Sequence, residues 1–206
     1  DQDKLLLQLG SGFRTKGLDR SLRALAALPQ PLRARTRLCV VGNDNERPYV
    51  RLARRLGVAE RVVFLGPRDD VPRLLIAADL LVHPAYHENT GTVLLEALAA
   101  GLPVIASGVC GYAHYVEQAQ AGWVLPEPFA PDRFHRTLHE ALERRDLSDL
   151  GRRGADFAQR EDLYGMVDAA VAVIERTAQR LADSGRAAEP QATIRHPQAT
   201  HVWLAE

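Results

Sequence analysis

The stretch Leu80-Leu81-Val82-His83-Pro84-Ala85-Tyr86-His87-Glu88-Asn89-Thr90-Gly91-Thr92-Val93-Leu94-Leu95-Glu96-Ala97-Leu98-Ala99-Ala100-Gly101-Leu102-Pro103-Val104-Ile105-Ala106 reads as strand, loop, helix and strand in succession. Its two ends are short apolar runs of buried-strand length. The polar loop between them feeds a helix for which Asn89 or Thr90 serves as N-cap, and Gly101 with Pro103 stops it. From Val93 to Ala100 the only polar residue is Glu96, which predicts a helix covered by protein on both faces. Thr92 and Ala100, one turn to either side, offer Glu96 no basic partner. A carboxylate so placed is costly unless something meets it, either a distant backbone amide that it caps or a ligand.

The same alternation extends through the chain. Apolar runs at Lys4 to Leu9, Arg37 to Val41, Val62 to Leu65, Leu80 to His83, Val104 to Ala106 and Trp123 to Leu125 are separated by helical patterns at Leu18 to Leu28, Glu46 to Leu56, Val71 to Ala77, Gly91 to Ala100 and Ala113 to Gln118. Alternating strands and helices predict an α/β fold, a doubly wound, Rossmann-like parallel sheet of about six strands in three layers. After the last strand the pattern is wholly helical, through Pro131 to Arg144, Asp149 to Gln159 and Asp162 to Leu181. The domain with its helical extension therefore takes residues 1–182. Residues 183–206, opening with Ser184-Gly185-Arg186 and lacking periodicity, read as a poorly ordered tail in which Val202-Trp203-Leu204 is the one docking candidate.

Composition narrows the function classes. The 206 residues carry 26 basic and 26 acidic side chains, a balance that gives nucleic-acid binding no support. Arginine clusters at Arg33-Arg35-Arg37, Arg51-Arg54-Arg55 and Arg152-Arg153 read as solvated helix faces before they read as anion sites. Cys39 and Cys110 are the only cysteines and lack metal-ligand spacing, the pattern of reduced cytosolic thiols. The first strand starts within a few residues of Asp1, with no signal-peptide pattern, and no run is long enough to span a bilayer, so the expectation is a soluble, cytoplasmic chain.

Chemistry collects in the loops after the strands, where open parallel sheets bind ligands. In Gly10-Ser11-Gly12-Phe13-Arg14-Thr15-Lys16-Gly17, the glycines permit close backbone approach, and Arg14 and Lys16 bring positive charge beside a helix start. That suits a phosphate, although an ordinary strand-to-helix turn can look the same. Leu18 after Gly17 excludes a P-loop, and the third glycine of a dinucleotide fingerprint is absent. Gly66-Pro67-Arg68-Asp69-Asp70 either meets the edge of a base, with Arg68 alongside, or merely caps the next helix through Asp69 or Asp70. In the third loop the amides of Thr90, Gly91 and Thr92 form an anion site at a helix start, flanked by the carboxylates of Glu88 and Glu96. A base, a diphosphate and hydroxyl-rich rings together describe a nucleotide sugar.

With Lys16-Gly17 after the first strand, the Glu88-x7-Glu96 spacing and Glu96-Ala97-Leu98-Ala99-Ala100-Gly101-Leu102-Pro103-Val104-Ile105-Ala106, the chain resembles the C-terminal, donor-binding half of the retaining glycosyltransferases of GT-B architecture, from Lys4 to about Arg180. Ala77 to Tyr86 and Val109 to Val116 resemble more closely the branch that glucosylates the inner-core heptose of lipopolysaccharide. There Cys110 precedes Gly111 and His114 stands where relatives more often carry a glutamate.

The resemblance implies a hexosyltransferase that uses UDP-glucose without a metal ion or other cofactor. Its catalytic residues would be Lys16 and Arg14, which offset the diphosphate charge, and Glu88, which orients the hexose near its C3 hydroxyl. Gly12, Arg68, Asn89, Thr90, Gly91, Thr92 and Glu96 would contact the donor, Glu96 through the ribose hydroxyls. Relatives commonly place the arginine where this chain has Ser11 or Thr15, which leaves Arg14 a residue out of step. The resemblance implies an N-terminal domain, outside these residues, that would supply acceptor contacts and a catalytic histidine. His83, His87 and His114 lie near the crevice without inheriting that role, and His87 enters only as an indirect support. The resemblance further implies that in the complete enzyme the acceptor would be a lipopolysaccharide core and any contact with the inner face of the inner membrane would be peripheral. Two other classes stay open: a nucleotide-sugar 2-epimerase of similar architecture, and a binding module without catalysis of its own.

Overall fold

A computed structural model of the protein describes residues 3–161 and 166–183. The chain divides into two compact units, Asp1–Leu163 and Tyr164–Glu206. In the first, the strands are β1 (Lys4–Leu9), β2 (Thr36–Val41), β3 (Val62–Gly66), β4 (Leu80–His83), β5 (Val104–Ser107) and β6 (Gly122–Leu125). They pair in parallel in the order β3-β2-β1-β4-β5-β6. The order reverses between β1 and β4, which pair through Leu6 with Leu80 and Leu7 with Leu81. A crevice opens at such a switch point, beyond the carboxyl ends of the strands.

The helices of this unit are α1 (Leu18–Ala27), α2 (Gln30–Ala34), α3 (Arg47–Arg55), α4 (Val71–Ala77), α5 (Thr92–Ala99), α6 (Ala113–Gln118), α7 (Pro131–Glu143) and α8 (Leu147–Arg160). The second unit contributes α9 (Met166–Asp183), on which Val171, Val173 and Ile174 are exposed. The short α2, with Pro31 in its first turn, has no sequence period long enough to announce it. The tail expected over 183–206, with its docking segment Val202-Trp203-Leu204, lies outside the described residues except for Asp183, which closes α9.

Because successive strand side chains point to opposite faces, two cores form. On one face Leu6, Leu38, Leu80 and Val82 pack with Leu18, Leu22 and Leu25 of α1 and Phe134 and Leu138 of α7. On the other, Leu7, Leu9, Leu81 and Val104 meet Leu75 of α4, Leu94 and Ala97 of α5, and Val116 of α6. Each leucine so enclosed stabilises the fold by about 1.5–3 kcal/mol relative to exposure. Arg51, Arg54 and Arg55 are exposed while their neighbours Leu52 and Ala53 are buried, so that arginine cluster is a solvated helix face.

Helix α5 carries the polar loop on its N-terminal end and is held at the other. Gly101 adopts φ 70 there, and the Leu102 amide returns to the Ala97 carbonyl at 2.8 Å. Helix α8 seats against this corner through small residues. A Cβ on Gly151 would lie 2.0 Å from the Gly101 carbonyl oxygen, and one on Gly154 would lie 3.1 Å from both Ala121 Cβ and Leu98 Cδ2. Gly151→Val should therefore push α8 off α5, and overpacking of this kind costs about 1–3 kcal/mol. Chemical denaturation of the wild type and variant should show a lower midpoint for the variant; an unchanged midpoint would mean that the corner tolerates the side chain.

Candidate functional site

The loop after β1 and the loop after β4 are joined along their backbones. The Tyr86 amide donates to the Thr15 carbonyl at 2.8 Å, and Gly17 lies so close to the next loop that a Cβ there would sit 2.0 Å from the Pro84 carbonyl oxygen. Gly17 also takes φ 70 ψ 36 as the residue before α1, so position 17 demands glycine for both shape and space. Arg20, one turn into α1, donates through Nη1 to the carbonyls of Pro84 (3.0 Å) and Ala85 (2.8 Å). Its guanidinium carbon lies 3.6 Å from the ring centroids of both Tyr86 and Phe129. Ser107, at the end of β5, donates to the Ala85 carbonyl at 2.9 Å.

This joint brings Lys16 and Glu88 together, 72 residues apart in sequence, as an ion pair between Nζ and Oε2. Buried Gln8 of β1 donates to the Lys16 carbonyl at 2.9 Å and fixes the start of that side chain. The same Glu88 oxygen lies 3.1 Å from Nε2 of His83, a fully buried residue at the end of β4. The hydrogen bond from His83 holds the Glu88 carboxyl at about 2, against an ordinary 4.5; burial opposes the shift, and the Lys16 ammonium reinforces it. Cys110, packed near Gly91, is pushed by burial up to about 11, so it is a thiol and not a nucleophile at neutral pH.

A cavity of about 380 Å³ opens over these groups at the switch point. Lys16, Glu88, Arg68, Thr90, Gly91, Thr92 and Glu96, all singled out in the sequence, line it. Gly12, Arg14 and Asn89 do not: Arg14 and Asn89 are exposed, and the Asn89 carbonyl packs against Gly111, where a Cβ would come within 2.3 Å of it. Arg68 is held in a two-pronged pair with Asp70, Nε to Oδ1 at 2.8 Å and Nη2 to Oδ2 at 2.7 Å, so Asp70 spends its carboxylate there instead of capping α4. His87 is exposed and outside the lining.

Two expectations for the α5 region need correction. The residue at the N-cap is Gly91, in a left-handed conformation, and not Asn89 or Thr90; the Thr90 carbonyl instead accepts from the Tyr112 amide at 2.8 Å. Glu96 is exposed, on a stripe with Thr92 and Ala99, and so α5 is not covered on both faces. Alanine misleads here because it is apolar by scale yet at ease on a solvated face.

Gly42 and Asn43 also line the cavity and were passed over in the sequence, and Ser11 and His83, noted there without a role in binding, line it as well. Ser11 accepts through Oγ from the Asn43 amide at 3.0 Å, tying the β1 loop to the β2 loop, and the Phe13 amide donates to Asp44 at 2.7 Å. Gln8 carried a readable signal, an amide within an otherwise apolar strand. A histidine ending an apolar strand, by contrast, is silent until its neighbour is known.

The sequence profile described as Glycosyl transferases group 1 matches residues 1–156. Lipopolysaccharide glucosyltransferase WaaG of Escherichia coli is 47% identical over 175 residues, 84% of this chain and 47% of WaaG. The crystal structure of WaaG matches with a TM-score of 0.82 over those same shares. D-inositol 3-phosphate glycosyltransferase of Mycolicibacterium smegmatis is 33% identical over 181 residues, 84% of this chain and 40% of the relative. Anabaena Alr3699/HepE, solved with UDP-glucose, is 25% identical with a TM-score of 0.67, covering 88% of this chain and 49% of that one. The chain thus spans about half the length of the curated relatives it matches.

Glu88 also predicts how stability depends on acidity. Its folded carboxyl titrates near 2 and its ordinary value is 4.5, so between those values the unfolded chain binds more protons. The stabilisation is fully present above about pH 4.5 and is lost as pH falls toward 2. Denaturation midpoints of wild type and Glu88→Gln should differ most near neutrality and converge through that window. A constant difference would mean that the pair contributes nothing through its charge.

Proposed function

The chain belongs to the group 1 glycosyl transferases, and from that premise we propose that residues 1–182 form the donor-binding half of a retaining hexosyltransferase. The donor is UDP-glucose and the acceptor an inner-core heptose of lipopolysaccharide. The observation that carries this reading is the convergence of Lys16 from the β1 loop and Glu88 from the β4 loop in one cavity at the switch point, beside the start of α5. The identity with WaaG over 84% of this chain supports the choice of sugar and acceptor.

The diphosphate lies against Lys16 and the amides that open α5, where a helix start favours negative charge. Glu96, exposed at the mouth of the cavity, accepts from the ribose hydroxyls, and Glu88 from the hexose. The base edge lies near Pro67 and Arg68. Arg14, exposed on the same loop as Lys16, reaches the diphosphate from outside the cavity, with Gly12 giving that loop its turn. Asn89 holds the sugar loop against Gly111. In the reaction the bond from hexose C1 to the diphosphate oxygen breaks, with its electron pair leaving on that oxygen. The acceptor hydroxyl oxygen bonds to C1 on the same face and passes its proton to the departing diphosphate oxygen.

Lys16 stabilises the charge that grows on the leaving diphosphate, the task a metal ion performs in other designs. This chain matches 47% of WaaG, and we assign acceptor contacts, and any contact with a membrane, to the part of the enzyme that it does not match. Among the described residues no helix is long and apolar enough to cross one.

In the complete enzyme, Lys16→Ala should lower turnover about 10²–10³-fold, as loss of a preorganised charge at the leaving group does. Near-normal turnover would remove Lys16 from that role. Calorimetry on the chain alone should give binding of UDP and UDP-glucose in preference to ADP; tighter binding of ADP would overturn the uridine assignment.

A further inference from the structure

Both protein donors to Glu88 use one oxygen. Lys16 Nζ and His83 Nε2 meet at Oε2, and among the described residues nothing bonds Oε1. The two donors differ in how firmly they are placed. Lys16 ends a flexible four-carbon stem that keeps 22% of its side-chain surface exposed, whereas the His83 side chain is 1% exposed within β4. A long ammonium at the mouth of a cavity can change partners, but a ring enclosed on a strand cannot. To donate to a carboxylate, Nε2 must carry a hydrogen. Nδ1 is buried without a partner, so no second bond competes for the ring's orientation.

An arriving diphosphate competes with Glu88 for the Lys16 ammonium. We infer that His83 is a positioning residue: it keeps Glu88 Oε2 anchored while Lys16 transfers to the diphosphate, so that Oε1 stays directed at the hexose. This rests on the proposed donor site, and it assigns hexose recognition to a residue that need not touch the donor. His83 should therefore matter for the sugar and not for the nucleotide.

The test titrates the chain calorimetrically with UDP and with UDP-glucose, as wild type, His83→Gln, His83→Phe, Glu88→Gln and the His83→Phe/Glu88→Gln double variant. Loss of a hydrogen bond to a charged group should weaken UDP-glucose binding by about tenfold or more in His83→Phe. UDP binding should stay within about threefold, and so doubles as the check on folding. His83→Gln, whose amide can donate in place of Nε2, should recover part of the loss. On the Glu88→Gln background, His83→Phe should leave the ratio of the two affinities unchanged. Equal loss of both ligands in the single variants, or a further drop in that ratio in the double variant, would overturn the positioning role. A wild-type chain that takes up neither ligand would instead overturn the proposed donor site, and the inference with it.

Discussion

The site depends on the approach of two backbones at the β1–β4 switch point. Without a side chain at Gly17, the β1 loop presses against the Pro84 carbonyl, and the amide of Tyr86 closes on Thr15. That contact, and no attraction between distant charges, sets the distance between Lys16 and Glu88. An ion pair alone would be a weak organiser, since desolvation consumes much of its Coulomb gain. Here the backbone joint fixes the geometry first, and the pair forms within it. Arg20 and Ser107 satisfy the carbonyls that the joint leaves buried, and Gln8 does the same for Lys16.

Strands were legible because both faces of the sheet are covered, so they read as short, mainly apolar runs with few interruptions, such as Gln8 in β1 and Arg37 in β2. β1 and β4 match their expected spans, as do α4 and α6. The helix after β4 was legible in extent but not in environment. Its alanines hide the boundary between covered and solvated faces, so exposed Glu96 looked like an enclosed charge. Its start moved from Asn89 or Thr90 to Gly91, because the Thr90 carbonyl is committed to Tyr112. Placement after the strands put Lys16 and Glu88 in one candidate site, but their direct contact and the position of His83 beside Glu88 are tertiary facts. No local pattern encodes which oxygen of a carboxylate a distant ring will meet.

Glu88 illustrates how a carboxylate can be held ionised within a cavity while one of its oxygens takes no protein donor among the described residues. Two donors on the other oxygen keep it ionised well below neutral pH. Thr90, Gly91 and Thr92 flank it with the start of α5, whose partial positive charge favours anions at the same edge of the cavity. Positive and negative groups are thus interleaved across one small cavity, which suits a ligand that is itself anionic at one end and rich in hydroxyls at the other.

Arg20 has a consequence for which substitutions this corner of the fold can take. One guanidinium bonds two carbonyls of the β4 loop, and its plane lies against Tyr86 and against Phe129 beyond β6. A lysine in its place could reach a carbonyl but has no planar face to set between two rings. A side-chain change at any one of positions 20, 86 and 129 therefore removes a packing surface from the others, although they lie on three separate connections of the chain.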